Sequence, residues 1–276
     1  MSNTLSEVDR AAASLRAASA GGFAALVGML IKKHKAKYEA DFAAKILNGP
    51  DKDGSSPLFH ACFVGHTAVV EVLLGQPDID PNQKNLKDVT PLRAALGNDN
   101  ADAAELLLEY EPPEGKPEVD GSHKCHQNWN PLCHAAAGGY VYVVNLLLKR
   151  ENITKPDPDG TSKESELDLQ DGDGMTALYL AANGGHIRVV KSLLNAGAKI
   201  DAKSKGNLTP IYGAASAGHA RIVEILLEKN AVTTLRSDEG DTALDAAVKG
   251  GHGAVAELLM EKGDTEPAAT NTENTT

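Results

Sequence analysis

The sequence predicts an all-α solenoid, in which short pairs of helices stack side by side. One pattern recurs seven times along the 276 residues, in four clear copies, two weaker ones and a degenerate one at the N-terminus, and the clear copies carry the start signal, the turn signal and the apolar spacing of two short helices. The composition agrees, because 26 glycines and 13 prolines beside 4% aromatic residues favour many short elements separated by turns. A helix pair of this size cannot bury its apolar stripe alone, so neighbouring pairs must cover it.

The repeat has a period near 33 residues. Equivalent apolar positions lie 43, 34, 40, 46, 33 and 33 residues apart, which places insertions at 32–55, 109–129 and 149–173. We expect a flexible N-terminus over 1–9, a repeat domain over 10–263 and a disordered tail over 264–276, which lacks apolar residues. The expected units lie near 13–31, 56–74, 90–108, 130–148, 176–194, 209–227 and 242–260, and their equivalent residues are Leu15, Leu58, Leu92, Leu132, Leu178, Ile211 and Leu244.

Each unit contains the local signals of a helix, a turn and a second helix. In four units a capping residue followed by proline opens the first helix, since the missing N–H of proline costs nothing there. A glycine then supplies the backbone freedom to turn the chain. Val69, Val70, Leu73 and Leu74 illustrate the second helix, whose spacing forms one apolar stripe. The capping residues are Ser56, Thr90, Asn130 and Thr209, and the turn glycines are Gly65, Gly185, Gly218 and Gly251.

These residues resemble the ankyrin repeat, whose signature runs from Thr-Pro-Leu-His through Ala-Ala and Gly-His to a Val-Val…Leu-Leu helix. The resemblance covers nearly the whole chain, and the amino-acid sequence of residues 77–82 is most similar to that of stand-alone fungal members of the family. It implies that first helices line a concave groove and that β-hairpin fingers project between units. The signature histidine is replaced, because its positions hold Phe59, Arg93, Cys133, Tyr179, Tyr212 and Asp245.

The resemblance also implies binding of another protein, as an adaptor, an inhibitor or an assembly chaperone. Partner-binding residues are carried over by position, on the groove and on the finger tips. The groove residues are Phe63, Val64, Asn98, Asn183, Ser216 and Lys249, and the finger residues are Lys84, Lys87, Asp171, Asp173, Lys203, Lys205, Arg236 and Asp238.

Phe63 and Val64 are adjacent apolar residues on the expected groove. They have two interpretations: a hydrophobic anchor for the partner, or a patch that the insertion before Ser56 folds over and covers. The first insertion itself places Tyr38, Phe42 and Ile46 at helical spacing, which predicts an additional amphipathic helix that braces the first units. Its basic cluster over 32–37 has nucleic-acid or anionic-lipid binding as a less favoured alternative.

Three patterns suggest metal or catalytic sites, and each has a plainer interpretation. Five ligand-type residues surround the second insertion, but no paired Cys-x-x-Cys accompanies them, so we expect no metal. The acidic third insertion does not fit a calcium loop and favours a mobile loop. The recurring histidines follow the turn glycines and favour a structural role. The ligand-type residues are His123, Cys125, His126, Cys133 and His134, and the recurring histidines are His66, His186, His219 and His252.

Composition narrows the remaining function classes. A net charge of −11 argues against nucleic acid as the main partner, and the sequence contains no apolar run near the roughly 20 residues needed to span a membrane. Three cysteines and a start without a secretory signal lead us to expect a reducing compartment, which is the cytoplasm with the nucleus as an alternative. We also expect a monomer and no cofactor. The alternative function is an enzyme or small-molecule binder that uses the groove and the 109–129 and 149–173 insertions.

Overall fold

A computed structural model describes residues 6–121, 130–149 and 166–262 of the chain. These residues form seven helix pairs, and no helix among them is long and apolar enough to cross a membrane. The chain divides into two compact units. Unit 1 comprises Met1–Ala135 and Tyr142–Glu151, and unit 2 comprises Ala136–Val141 and Asn152–Thr276.

Unit 1 contains three complete helix pairs and most of a fourth. The first helices α1, α4 and α6 pack side by side, and the second helices α2, α5 and α7 pack behind them. The turn of the fourth pair, Ala136–Val141, belongs to unit 2. The helices are α1 (Glu7–Ala20), α2 (Ala24–Lys37), a short α3 (Glu39–Asp41), α4 (Pro57–Val64), α5 (Thr67–Leu74), α6 (Pro91–Leu96), α7 (Ala101–Glu109), α8 (Pro131–Ala137) and α9 (Val141–Leu148).

The first helix pair is longer than the repeat predicts at both ends. The expectation of a flexible segment over 1–9 is wrong for 7–9, because α1 begins at Glu7. A capping box fixes this start: the Ser6 hydroxyl accepts from the main-chain N–H of Asp9 at 3.1 Å, and the Asp9 carboxylate accepts from the N–H of Ser6 at 3.2 Å. At the other end α2 continues to Lys37 and so includes the whole basic cluster.

The remainder of the first insertion is a brace, as predicted. A π-helical segment over Phe42–Leu47 packs against α1 and α2. Phe42 and Ile46 are buried, as the spacing predicts. This insertion therefore extends the core of unit 1 and does not fold over the Phe63–Val64 patch, since both of those residues remain exposed.

The predicted caps and turns are present. The hydroxyl of Thr90 accepts from the N–H of Arg93 at 3.3 Å, and Asn130 accepts from the N–H of Cys133 at 2.6 Å. Gly65 has φ +88°, in the region that favours glycine, as do the other predicted turn glycines. In the third pair this position is Asp99, with φ +58°.

Unit 2 contains three further pairs built in the same way. The first helices α10, α12 and α14 pack in sequence, and Leu178 and Ile211 are buried at the repeat's apolar position. Val189, Val190 and Leu193 show the buried stripe of a second helix. The helices are α10 (Ala177–Asn183), α11 (Ile187–Asn195), α12 (Pro210–Ser216), α13 (Ala220–Glu228), α14 (Ala243–Lys249) and α15 (Gly253–Lys262).

The fingers are tight turns and not extended hairpins. Single β-bridges join Gln170 to Thr176 and Ser204 to Leu208, and no longer strand occurs in the described part of the chain. Three of the described fingers are tied to the preceding one by a main-chain hydrogen bond; in one of them the N–H of Lys205 donates to the oxygen of Gly174 at 2.6 Å. The predicted tail over 264–276 and most of the acidic insertion lie outside the described residues.

Candidate functional site

An inner cleft of about 420 Å³ opens on unit 1 between the first helices and a finger. Its apolar lining comes from α4, from the finger over 84–89 and from α6. The lining residues that carry the argument below are Phe59, Phe63, Leu86, Lys87, Arg93 and Asn98.

Two phenylalanines form the wall of the inner cleft on α4. Phe59 and Phe63 are four residues apart, so they lie on one helix face, and their rings stack with centroids 6.1 Å apart and planes inclined by 19°. Phe59 is buried, but Phe63 is 47% exposed and Val64 beside it is exposed as well. Phe59 therefore fixes the position of Phe63, whose outer surface remains open to solvent.

The opposite wall is a finger whose shape is set by Asn85. Its side-chain oxygen accepts from the N–H groups of Lys87 at 2.9 Å and Val89 at 3.0 Å. The N–H of Leu86 donates to the oxygen of Asp53 in the preceding finger at 2.9 Å. Because the main chain is held on both sides, the Leu86 side chain projects from the tip and is 79% exposed.

The inner cleft carries more positive than negative charge, in a chain whose net charge is −11. Lys87 and Arg93 line it together with one acid, Asp53. Burial lowers the pKa of Arg93, and nearby Asp88 partly offsets this change. Lys84 lies outside the lining and forms an ion pair with Asp88 at 3.0 Å. Two cationic side chains therefore accompany the apolar lining of the inner cleft.

The structure places most of the other predicted binding residues on exposed positions of unit 2. Asn183 and Ser216 are exposed at the ends of first helices, and Lys249 forms an ion pair with Asp241. The exposed finger residues are Asp173, Lys203, Lys205, Arg236 and Asp238.

Asp171 corrects the expectation of an exposed finger tip, since it is only 8% exposed. Its carboxylate accepts from the N–H groups of Asp173 at 3.0 Å and Met175 at 2.8 Å. Asp171 thus shapes the turn from inside, as Asn85 does in its finger.

The recurring histidines link successive helix pairs. In unit 1, the Nε2–H of His66 donates to the oxygen of Ala20 at 3.0 Å. Unit 2 has three equivalent bonds at 2.8–3.1 Å, from the Nε2–H groups of His186, His219 and His252 to the main-chain oxygens of Ala137, Asn183 and Ser216, respectively. Asn100 replaces the histidine in the third pair, and its side-chain Nδ2–H donates to the main-chain oxygen of Phe63 at 2.9 Å. These contacts support a structural role for the histidines.

The predicted metal-ligand residues are only partly described. Cys133 is buried in α8, and burial lowers the pKa of the neighbouring His134 to about 4. Within 6–121, 130–149 and 166–262, no three ligand-type side chains come together in a way that could hold a metal ion. His123, Cys125 and His126 lie outside these residues.

Sequence reasoning missed Leu86, the most exposed large apolar residue on the inner cleft. A signal was present, because a leucine between Asn85 and Lys87 is unusual at the tip of a polar turn. The sequence also does not reveal that Arg93 lines the cleft, since in the repeat pattern this residue stands out only as a replacement of the signature histidine.

Comparisons with known proteins agree with this architecture. A family model described as ankyrin repeats (3 copies) matches residues 78–159, 119–204, 159–237 and 201–271, and a single ankyrin-repeat model matches 53–86. Human Rabankyrin-5 is 26% identical over 166 residues, which are 60% of this chain and 13% of that protein. SAT10 of Stachybotrys chartarum is 30% identical over 189 residues, 68% of this chain and 8% of that protein.

Solved structures show the same fold. The ankyrin repeat domain of human ASB11 has a TM-score of 0.65 at 24% identity, covering 92% of this chain and 99% of that domain. The ankyrin repeat domain of Bcl-3 has a TM-score of 0.63 at 20% identity, and the match covers 90% of this chain and 97% of that domain. Since the family models match well over half of the sequence, the chain belongs to the ankyrin repeat family.

Proposed function

We propose that the chain is a protein-interaction module that holds a segment of a partner protein in the inner cleft of unit 1. Ankyrin repeats are in general protein–protein interaction modules. The observation that carries the proposal is the pair of exposed apolar side chains, Phe63 and Leu86, that face one cleft from two rigidly held elements. Exposed apolar residues that converge in this way are typical of binding anchors.

The energetic basis is the burial of apolar surface on binding. Phe63 is held by its stack on Phe59, and the main chain at Leu86 is held by a hydrogen bond, so binding loses little main-chain entropy and the main entropy cost is the rotamer freedom of the Leu86 side chain. Lys87 lies at the edge of the cleft and contributes to orientation and association rate more than to affinity.

The proposed role is that of an adaptor, an inhibitor or an assembly chaperone that acts as a monomer. The proposed location is the cytoplasm, with the nucleus as an alternative. Support comes from the acidic net charge, which disfavours nucleic acid, and from the extent of the repeat, which leaves binding surfaces as the main feature of the described chain.

Affinity capture with quantitative mass spectrometry tests the proposal. Phe63→Glu and Leu86→Glu should each abolish capture of the same protein, because each places a charge against the partner's apolar contact. Met29→Glu is the matched control, since Met29 is 62% exposed on α2 and does not line the cleft. All three variants should unfold within a few degrees of the wild type. Capture that survives both cleft variants would rule out this site.

A further inference from the structure

The first and last helix pairs each have one face that no neighbouring pair covers. Within 6–121, 130–149 and 166–262, no pair precedes α1 and α2, and no pair follows α14 and α15. We call these surfaces the N-terminal face, on unit 1, and the C-terminal face, on unit 2. Terminal repeats usually carry polar outer faces, because an apolar one would lower solubility. Both faces here expose apolar side chains, which are Phe23 and Leu26 on the N-terminal face and Val248 on the C-terminal face.

Phe23 occupies the place of the linking histidine in the first pair. Like His186, it immediately precedes the second helix of its pair. An added Cβ on Gly21 would lie 2.6 Å from Phe23 Cε2, as one on Gly184 would lie 2.6 Å from His186 Nε2. His186 reaches from this position to the oxygen of Ala137 in the preceding pair. Phe23 is oriented in the same way, but no described pair covers it, so it is 60% exposed.

Leu26 continues the apolar surface that begins at Phe23. It is the third residue of α2, and the third residues of α5 and α11, Val69 and Val189, are fully buried. Leu26 is exposed instead, so the stack of pairs, and not the helix itself, buries this position. The N-terminal face therefore has the surface of an inner repeat and not that of a polar end.

The C-terminal face is open at the position where the next linking histidine would lie. An added Cβ on Gly185 would be 2.7 Å from Cε1 of His219 in the next pair, but one on Gly251 would have no described atom within 4 Å. Val248 lies four residues after the repeat's apolar position, as Ala215 does. Ala215 is fully buried, whereas Val248 is 61% exposed. This face therefore offers an apolar surface and room for one ring.

The first and last pairs carry opposite net charge. The first pair, over 6–37, contains six lysines and arginines and two acids, whereas the last pair with its finger, over 236–262, contains six acids and three lysines and arginines. Such complementarity favours contact between the two different ends and disfavours contact between two copies of the same end. It therefore favours a head-to-tail arrangement.

The repeat also sets which charged groups would meet. Arg10 stands five residues before Leu15, at the position that belongs to a finger in the other pairs. Successive fingers contact each other, since the N–H of Asp238 donates to the oxygen of Gly206 at 2.8 Å. Continuation of the repeat would therefore bring Arg10 towards Asp238 and Glu239, which are both exposed on the last finger.

We propose that the chain stacks head to tail on a second copy of itself, with the N-terminal face of one copy packed on the C-terminal face of the other. The repeat then continues across the junction: the Phe23 ring lies against Gly251 of the other copy, and Leu26 and Val248 become buried. Only a few apolar side chains are covered, so the association is weak and reversible. The inner cleft lies on neither face, so this property goes beyond the proposed function, for which the monomer present at low concentration suffices.

Sedimentation equilibrium of the full chain, from about 1 µM to about 500 µM, tests the proposal. The average mass of the wild type should rise with concentration without a plateau at the dimer, because a dimer still exposes one face of each kind. Phe23→Glu adds a negative charge opposite the acidic end, and Val248→Lys adds a positive charge opposite the basic end, so each should weaken association by about tenfold or more. Leu86→Glu is the matched control: it changes an exposed apolar residue of the inner cleft and should associate like the wild type.

A mixture of the two face variants tests the direction of stacking. Phe23→Glu keeps an intact C-terminal face and Val248→Lys keeps an intact N-terminal face, so an equimolar mixture should form dimers and nothing larger. All three variants should melt within a few degrees of the wild type at low concentration, since each changes an exposed side chain. A wild type that stays monomeric, a mixture that stays monomeric, undiminished association of either face variant alone, or loss of association in Leu86→Glu would overturn the proposal.

Discussion

The Nε2 atom of His219 lies 3.0 Å from the main-chain oxygen of Asn183, at the end of the first helix in the preceding pair. The imidazole also lies against Gly185, where an added Cβ would be 2.7 Å from His219 Cε1. One histidine therefore explains two features of the repeat. It satisfies a carbonyl at a helix end, and it fills the space that the glycine of the preceding turn leaves open.

Replacing His219 should destabilise unit 2. His219→Ala removes the hydrogen bond and leaves the Asn183 carbonyl without its protein partner, so we expect a loss of about 1 kcal/mol in the free energy of unfolding. Urea denaturation measures this loss. His219→Asn should lose less, since Asn100 makes the equivalent bond in unit 1. Equal losses in the two variants would contradict the hydrogen-bond explanation.

Substitution of Gly185, which His219 contacts, should destabilise the protein more than the same substitution at the equivalent glycine of another turn. Gly185→Ala combines strain at φ +78° with a clash against His219, so it should cost more than about 1 kcal/mol. Gly251 has a similar φ of +74° but no atom within 4 Å of an added Cβ. Gly251→Ala therefore controls for the backbone strain. If it destabilised the protein as much as Gly185→Ala, packing against the histidine would contribute nothing.

Asp171 and Asp173 should differ in their effect on stability, although both are finger acids. Asp171→Ala removes the acceptor of two main-chain N–H groups and should cost about 1–2 kcal/mol. Asp173→Ala changes an exposed side chain and should stay within about 0.5 kcal/mol of the wild type. Thermal unfolding compares them, with Asp171→Asn expected to retain most of the stability. A larger loss for Asp173→Ala would show that Asp171 does not shape the turn.

His134 should make stability depend on pH. Burial lowers its pKa in the folded state to about 4 from an ordinary 6.5. Between these values the unfolded chain holds the extra proton, so the free energy of unfolding should fall, by about 2 kcal/mol, as the pH drops from about 6.5 to about 4. Urea midpoints across this range should change less in His134→Gln. The His134→Gln variant should keep the part of the pH dependence that is due to His34, because burial lowers the pKa of that histidine as well. Identical profiles would contradict this assignment.

The repeat could be predicted from the sequence because its signals are local. Thr90 and Asn130 cap helices, and Gly65 turns the chain with a positive φ, as their residue types indicate. The apolar stripe of α5 is buried as its spacing requires. Such features depend on a few neighbouring residues and on the 3.6-residue period.

Contacts between distant residues could not be predicted in this way. The burial of Asp171 rests on local turn hydrogen bonds to Asp173 and Met175, but residue type alone does not tell which of two acids in one finger is the buried one. The projection of Leu86 depends on its N–H bonding to Asp53, 33 residues earlier. The burial of His34 occurs where two helices extend beyond the repeat, one of which begins within a segment that we expected to be flexible.

Site-specific photocrosslinking tests the binding function of the inner cleft most directly. A photoreactive amino acid at position 86 should crosslink one partner, and the added substitution Phe63→Glu should abolish that product. The same probe at Met260, which is exposed on α15, provides the control. Strong crosslinking from position 86 alone supports the account. Equal crosslinking from both positions, or a product that survives Phe63→Glu, would contradict it.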